Sequence, residues 1–101
     1  MGLSKHDKIA KNLAKEYKTE YNKGQGPDIK AKNRVIEVAT HKSDLYSSLK
    51  QLNHYQKPKY IATTSDLVKK AKEVTEGTGI GVMGPTGTIR KKAGGKWILE
   101  K

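Results

Sequence analysis

Asp28 and Glu37 are the residues of this sequence whose types and spacing could do chemistry together. The run "DIKAKNRVIEVAT" reads as a strand, a tight turn near Lys32-Asn33 and a second strand. Period-two alternation places Ile36, Val38 and Thr40 on one face of the second strand, and Val35, Glu37, Ala39 and His41 on the other. Asp28, on the preceding strand, can then face Glu37 across the hairpin. Two carboxylates meeting at a sheet surface repel each other unless a cation lies between them. A hard divalent ion such as Mg²⁺ takes oxygen ligands and lowers the pKa of a bound water. The competing reading is a turn aspartate and an exposed strand glutamate paired with a lysine.

The rest of the chain must hold this pair in place. Ser4 with Asp7 resembles a capping box, and Ile9, Leu13, Tyr17 and Tyr21 recur at i, i+4 spacing. They predict an amphipathic helix of about five turns, stopped by Gly24, Gly26 and Pro27. After the acidic hairpin, Ser43 can cap the helix "DLYSSLKQLNHYQK", whose apolar stripe is Leu45, Leu49 and Leu52 and which Pro58 ends. "KYIATT" is a short buried strand, and Ser65 caps a third helix through Leu67, Val68, Ala71 and Val74, closed by Gly77. "IGVM" is a strand, Pro85-Thr86-Gly87 a turn, and "TIRKKAGGKWILE" a final hairpin. The predicted order is α-β-β-α-β-α-β-β, an α/β fold with a small mixed β-sheet flanked by helices. Neither a repeat nor a linker divides the chain, so residues 1–101 read as one domain.

Charge narrows the function. The 101 residues carry a net charge of +11, a field that favours polyanions, chiefly nucleic acid or anionic lipid, over a merely solubilising lysine surface, and without an amphipathic helix of bulky apolar face nucleic acid fits better. "KNLAKEYKTEYNK" mixes its lysines with acids, whereas "KQLNHYQKPKY" and "RKKAGGKWILEK" are almost purely basic. Lys30, Lys42, Lys50, Lys57, Arg90, Lys91 and Lys92 are the candidate nucleic-acid contacts. There is no run of 18 apolar residues and no apolar signal region after Met1, which indicates neither a membrane span nor secretion. The absence of cysteine excludes disulfides and thiolate metal sites and fits a cytoplasmic setting. His6, His41 and His54 match no zinc spacing, and His41 reads as a solvated strand end. "GTGIGVMGPTG" lacks the lysine-serine or lysine-threonine of a phosphate loop, and Trp97 reads as a core cap rather than a base-stacking residue.

Gln51 and Tyr55 add a third motif, four apart on one face of the helix after the acidic hairpin. Pro27-Asp28, then Glu37-x-Ala39, then "QLNHY" resembles the PD-(D/E)XK nuclease superfamily, in particular its RecB-like branch, over the stretch from Leu3 to Thr64. The resemblance implies a restriction-endonuclease-like fold and metal-dependent hydrolysis of DNA phosphodiesters with Mg²⁺ or Mn²⁺. It implies Asp28 and Glu37 as metal ligands assisted by the Val38 backbone carbonyl. Gln51 and Tyr55 would orient the site or touch the DNA backbone. Glu16 or Glu20 would match the first-helix glutamate that joins the metal shell in several members, against the simpler reading of salt-bridged surface residues. A domain this small offers limited surface, so a homodimer or a larger nuclease complex is expected.

Two departures from the family pattern matter. The family usually has another strand before the Asp-bearing one, and "KGQGP" is too short to hold it. The family's lysine, two residues after the glutamate, positions and helps deprotonate the attacking water, and here that place is Ala39. Three readings of Ala39 stand: a substitution introduced to silence the enzyme, a lysine that has migrated to Lys30 or Lys42, or a natural pseudo-nuclease that binds without cutting. The expectation is a chain that is inactive or impaired, whereas a migrated lysine would leave it able to cut. The rival function is a non-catalytic basic nucleic-acid-binding module that uses the basic helices and "RKKAGGKW" without metal.

Overall fold

Arg34 to Ala39 form the strand on which the site is built, and the sheet grows outward from it in both directions. The computed structural model describes residues 5–19, 28–31, 34–52 and 57–93. Within them lie α1 (Lys5–Glu16), β1 (Ile29–Ala31), β2 (Arg34–Ala39), α2 (Lys42–Leu52), β3 (Lys59–Thr63), a 3-10 turn (Ser65–Leu67), α3 (Val68–Val74), β4 (Gly81–Met83) and β5 (Ile89–Lys91). The five strands form one mixed sheet in the order β1-β2-β3-β4-β5. β1 pairs antiparallel with β2, β2 with β3 and β3 with β4 run parallel, and β5 returns antiparallel on β4. Each parallel step needs a crossover, and α2 and α3 supply the two. The result is an α/β domain with helices on both faces of the sheet.

Alternation along the strands decides which helix covers which face. Ile36 and Val38 point to α1, where they pack with Ile9, Ala10, Leu13 and Ala14. Val35 and Ala39 point the other way, into a cluster with Leu45 and Leu52 of α2 and Val68 and Ala71 of α3. Tyr60 belongs to the α1 face, and its ring lies across Gly81 on the neighbouring strand, where a Cβ would come within 2.5 Å of the ring. Only glycine allows that approach. The Arg34 guanidinium then stacks between the rings of Tyr17 and Tyr60, 5.2 and 5.1 Å from their centroids.

Several boundaries differ from expectation for identifiable reasons. α1 stops after about three turns rather than five. Lys18 takes a left-handed conformation (φ 54°), its N–H bonds the Lys15 carbonyl at 3.2 Å, and the Thr19 N–H bonds the Ala14 carbonyl at 2.9 Å. This is a Schellman stop built on lysine instead of glycine. The expected stop signals Gly24, Gly26 and Pro27, and the helix positions Glu20 and Tyr21, lie outside the described residues. α3 enters through the 3-10 turn, and no side-chain cap bond at Thr64 starts that turn. The second half of the expected terminal hairpin, residues 94–101 with Trp97, is outside the described residues, as is His54. Among the described residues no helix is long and apolar enough to cross a membrane.

Candidate functional site

The hairpin register sets the acidic pair face to face. Ala31 pairs with Arg34 and Ile29 with Ile36, so Asp28 stands across from Glu37 just beyond the start of β1. In an antiparallel ladder alternate pairs exchange both backbone hydrogen bonds, and after Ile29–Ile36 the next such pair would be position 27 with Val38. Position 27 is proline and has no N–H to give. The Asp28 side chain takes over one half of the missing rung, its Oδ2 accepting the Val38 N–H at 2.9 Å. The Val38 carbonyl faces the same edge of the strand. Asp28, one residue before β1, thus turns its carboxylate onto the edge of β2 at Val38.

Two further contacts complete the arrangement. His6 Nε2, in the first turn of α1, lies 3.1 Å from Asp28 Oδ2. The Asp28 N–H donates to Glu37 Oε1 at 3.2 Å. Asp28 Oδ1 and Glu37 Oε2 accept no hydrogen bond among the described residues, and neither carboxylate pairs with a lysine or arginine there. Burial pushes the Asp28 carboxyl up from its ordinary value, against the opposing pull of the Val38 N–H and His6. Glu37 is pushed up to about 7, first by burial and then by the charge of Asp28. Two partly desolvated carboxylates are therefore held together with too little positive charge between them.

That deficit is what a hard cation would fill. Mg²⁺ is commonly held by one or two carboxylates, with water or substrate phosphate oxygens completing its shell, and Mn²⁺ suits the same oxygen ligands. Asp28, Glu37 and the Val38 carbonyl fit that donor set. Among the described residues no group of three or more histidine, aspartate or glutamate side chains forms a self-sufficient metal cage. A cation here would draw the rest of its shell from water or substrate. Beside the pair, Lys5, His6, Thr40, His41 and Asp44 line a hollow of about 470 Å³ at the carboxyl end of β2. Open α/β sheets hold ligands outside the carboxyl ends of their parallel strands.

The other expected site residues are distributed unevenly. Ala39 is fully buried against Leu45 and Leu52, and its carbonyl accepts the Thr63 hydroxyl at 2.6 Å. A lysine there would not simply stand in open solvent beside Glu37; it would have to thread past α2. Gln51 is half-buried in the last turn of α2, with no hydrogen bond to the acidic pair. Its partner Tyr55 lies outside the described residues. Glu16 is exposed at the far end of α1, ten residues beyond His6, which places it about 15 Å along the helix axis from the residue that touches Asp28. Glu16 is therefore too distant to share a metal with Asp28.

Among the basic candidates, Lys30, Lys42, Lys50, Lys57, Arg90 and Lys92 are exposed. Lys57 also donates to the Ala31 carbonyl at 3.3 Å. Lys91 differs from the rest. Its Nζ turns inward and donates to the carbonyls of Thr75 at 3.1 Å and Ile80 at 2.7 Å, and burial lowers its pKa. It ties the end of α3 to β5, as a cation at a helix C-terminus should. Lys91→Met is expected to cost about 1 kcal/mol by removing a donor from the Ile80 carbonyl, since the Thr75 carbonyl keeps the Thr78 N–H and hydroxyl, with little effect on any DNA binding. Arg90→Ala should do the reverse, and melting curves beside DNA titrations on the two variants check both.

Sequence reasoning missed His6 and Asp44. His6 carried a signal, since it precedes Ile9 and Ala10 at i+3 and i+4 and so shares the inward face of α1. Asp44 carried none beyond its place in the first turn of α2. Comparison with known proteins gives no matching family model, no matching curated protein and no matching solved structure.

Proposed function

We propose that this chain is a divalent-metal-dependent DNA nuclease of the PD-(D/E)XK type with a restriction-endonuclease-like fold. In its present sequence it binds DNA and cuts slowly or not at all, because Ala39 stands where that superfamily places a lysine. The observation that carries the reading is the convergence of Asp28 and Glu37 beside Val38. The parallel β2-α2-β3 unit supports it, since it sets that carboxylate strand against β3 with the pair toward its carboxyl end.

Each residue has a definable task. Asp28, gripped through Oδ2, would present Oδ1 to a divalent cation. Glu37, steadied by the Asp28 N–H, presents Oε2 from the opposite side of the hairpin. The Val38 carbonyl adds a neutral oxygen from the strand edge. Mg²⁺ or Mn²⁺, when bound, supplies a water of lowered pKa and charge for the leaving oxygen. Lys30 and Lys42, exposed on β1 and at the start of α2, would meet DNA phosphates. A homodimer or a larger nuclease complex in the cytoplasm would extend the contact surface.

The second reading is a nucleic-acid-binding module without catalysis. A groove of about 720 Å³ between α3 and β5 favours it, with Lys69, Lys72 and Arg90 outnumbering Glu73 and Glu76 in its walls. One experiment bears on both readings: duplex and single-stranded DNA are titrated at two salt concentrations, then incubated with Mn²⁺. Affinity should fall with salt at a slope of about 0.9 per phosphate contact on duplex, and any cleavage should require the metal. No binding at low salt would end both readings. Salt-sensitive binding on which Mn²⁺ has no effect in any assay would leave only the module.

A further inference from the structure

We propose that His6 is a positioning residue for the acidic pair: it locks the Asp28 carboxylate so that Oδ1 faces outward, toward a divalent cation. The inference rests on the metal-site reading of Asp28 and Glu37 and assigns that site a support on a different element. Asp28 sits in a bend before β1, where no strand pairing restrains its side chain. The Val38 N–H alone would hold one oxygen and leave the carboxylate plane free to swing about it. A second contact to the same oxygen, His6 Nε2 at 3.1 Å, which donates when that ring nitrogen carries the proton, fixes the plane.

The imidazole is itself held from two sides. Its Nδ1 lies 3.5 Å from Asp7 Oδ1, so the ring bridges two carboxylates. Its backbone is anchored one turn later, where Ile9 and Ala10 bury against the Ile36 and Val38 face of the sheet. Docking of α1 therefore sets the Asp28 carboxylate through His6. The same ring forms a wall of the hollow at the end of β2. Groups that orient metal-binding carboxylates are typically worth 10- to 100-fold in metal affinity.

The test is a Mn²⁺ titration, by calorimetry or by loss of the free-ion paramagnetic signal, on the intact chain and on three variants. His6→Ala should bind Mn²⁺ about 10- to 100-fold more weakly than the parent. His6→Gln, whose amide can still donate toward Oδ2, should recover most of that loss. The metal-free melting temperatures of the two His6 variants should agree, which a merely structural role would not produce alongside the affinity difference. Parental affinity in His6→Ala, or no recovery in His6→Gln, overturns the proposal. Asp28→Ala separates the two levels. If it abolishes binding while His6→Ala keeps the parental affinity, the positioning role alone falls. If the parent binds no more Mn²⁺ than Asp28→Ala, the metal site falls and the positioning role with it.

Discussion

Asp28→Ala is expected to weaken Mn²⁺ binding by at least about 100-fold, with no residual metal-dependent hydrolysis, while leaving the metal-free fold nearly as stable as before. The two halves of that expectation have separate causes. Removal of the carboxylate deletes a metal ligand and also the acceptor of the Val38 N–H. A charge-assisted bond of this kind is worth about 1.5 to 3 kcal/mol. The same change removes the Asp28 charge that helps push Glu37 up to about 7, so Glu37 ionises with less penalty. The two effects oppose each other, and a net change of about 1 kcal/mol in stability is expected. Calorimetric titration and thermal unfolding of the variant check both halves. A large loss of stability with metal affinity untouched would mark Asp28 as a strand-ending residue and nothing more.

Ala39→Lys should have two large effects of opposite value. Ala39 is fully buried beneath α2, and a lysine in its place overfills the space against Leu45 and Leu52. Overpacking costs about 1 to 3 kcal/mol, and the ammonium must also avoid burial. Its escape route runs along the strand, because Glu37 lies on the same face about 7 Å away and the lysine stem can cover most of that distance. There the ammonium meets a half-buried carboxylate that lacks a cationic partner among the described residues. We therefore expect a folded variant less stable by about 3 kcal/mol, with Mn²⁺-dependent DNA cleavage raised about 10²- to 10⁴-fold over the parent. Melting curves and a plasmid-nicking assay measure the two. Cleavage as brisk in the parent as in the variant would point instead to a migrated lysine, to be sought at Lys30 and Lys42. A variant that folds, binds DNA and stays inert with both Mg²⁺ and Mn²⁺ would sink the nuclease reading.

The sequence showed the acidic hairpin because its logic is local. A tight turn near Lys32-Asn33 and strict alternation through Val35, Glu37 and Ala39 suggest the facing of Asp28 and Glu37 without reference to anything distant. The helices and parallel strands were visible in the same way, through apolar spacing around Leu45, Leu49 and Leu52 and through the short run "KYIATT". What escaped depends on contacts between elements far apart in the chain. His6 meets Asp28 only because α1 docks on the face presented by Ile36 and Val38. Ala39 shares the face of Glu37, yet α2 covers one and leaves the other half-exposed, and alternation says nothing about where a helix ends its cover. Lys91 reads as one of a basic run, but β5 pairing carries its amine under the end of α3. Lys18 stops α1 in a conformation that favours glycine, so no residue-type signal marked the boundary.

The central claim, that Asp28 and Glu37 form a divalent-cation site, is tested most directly by thermal unfolding with and without Mn²⁺ across pH. The sign follows from Glu37, whose folded pKa of about 7 lies above its ordinary 4.5. The folded protein then holds a proton that the unfolded chain releases, so the metal-free protein loses stability as pH rises from about 4.5 to about 7 and levels off above. Solvent access to Glu37 limits that loss to about 2 kcal/mol. Mn²⁺ binds the ionised pair, so at pH 8 it should restore the loss; at a hundredfold excess over its dissociation constant it contributes about 2.7 kcal/mol, a rise in melting temperature on the order of 10 °C. At pH 5 the rise should largely disappear, and in Glu37→Gln it should be absent at both pH values. A melting temperature at pH 8 that does not respond to Mn²⁺, or responds equally in Glu37→Gln, would contradict the account.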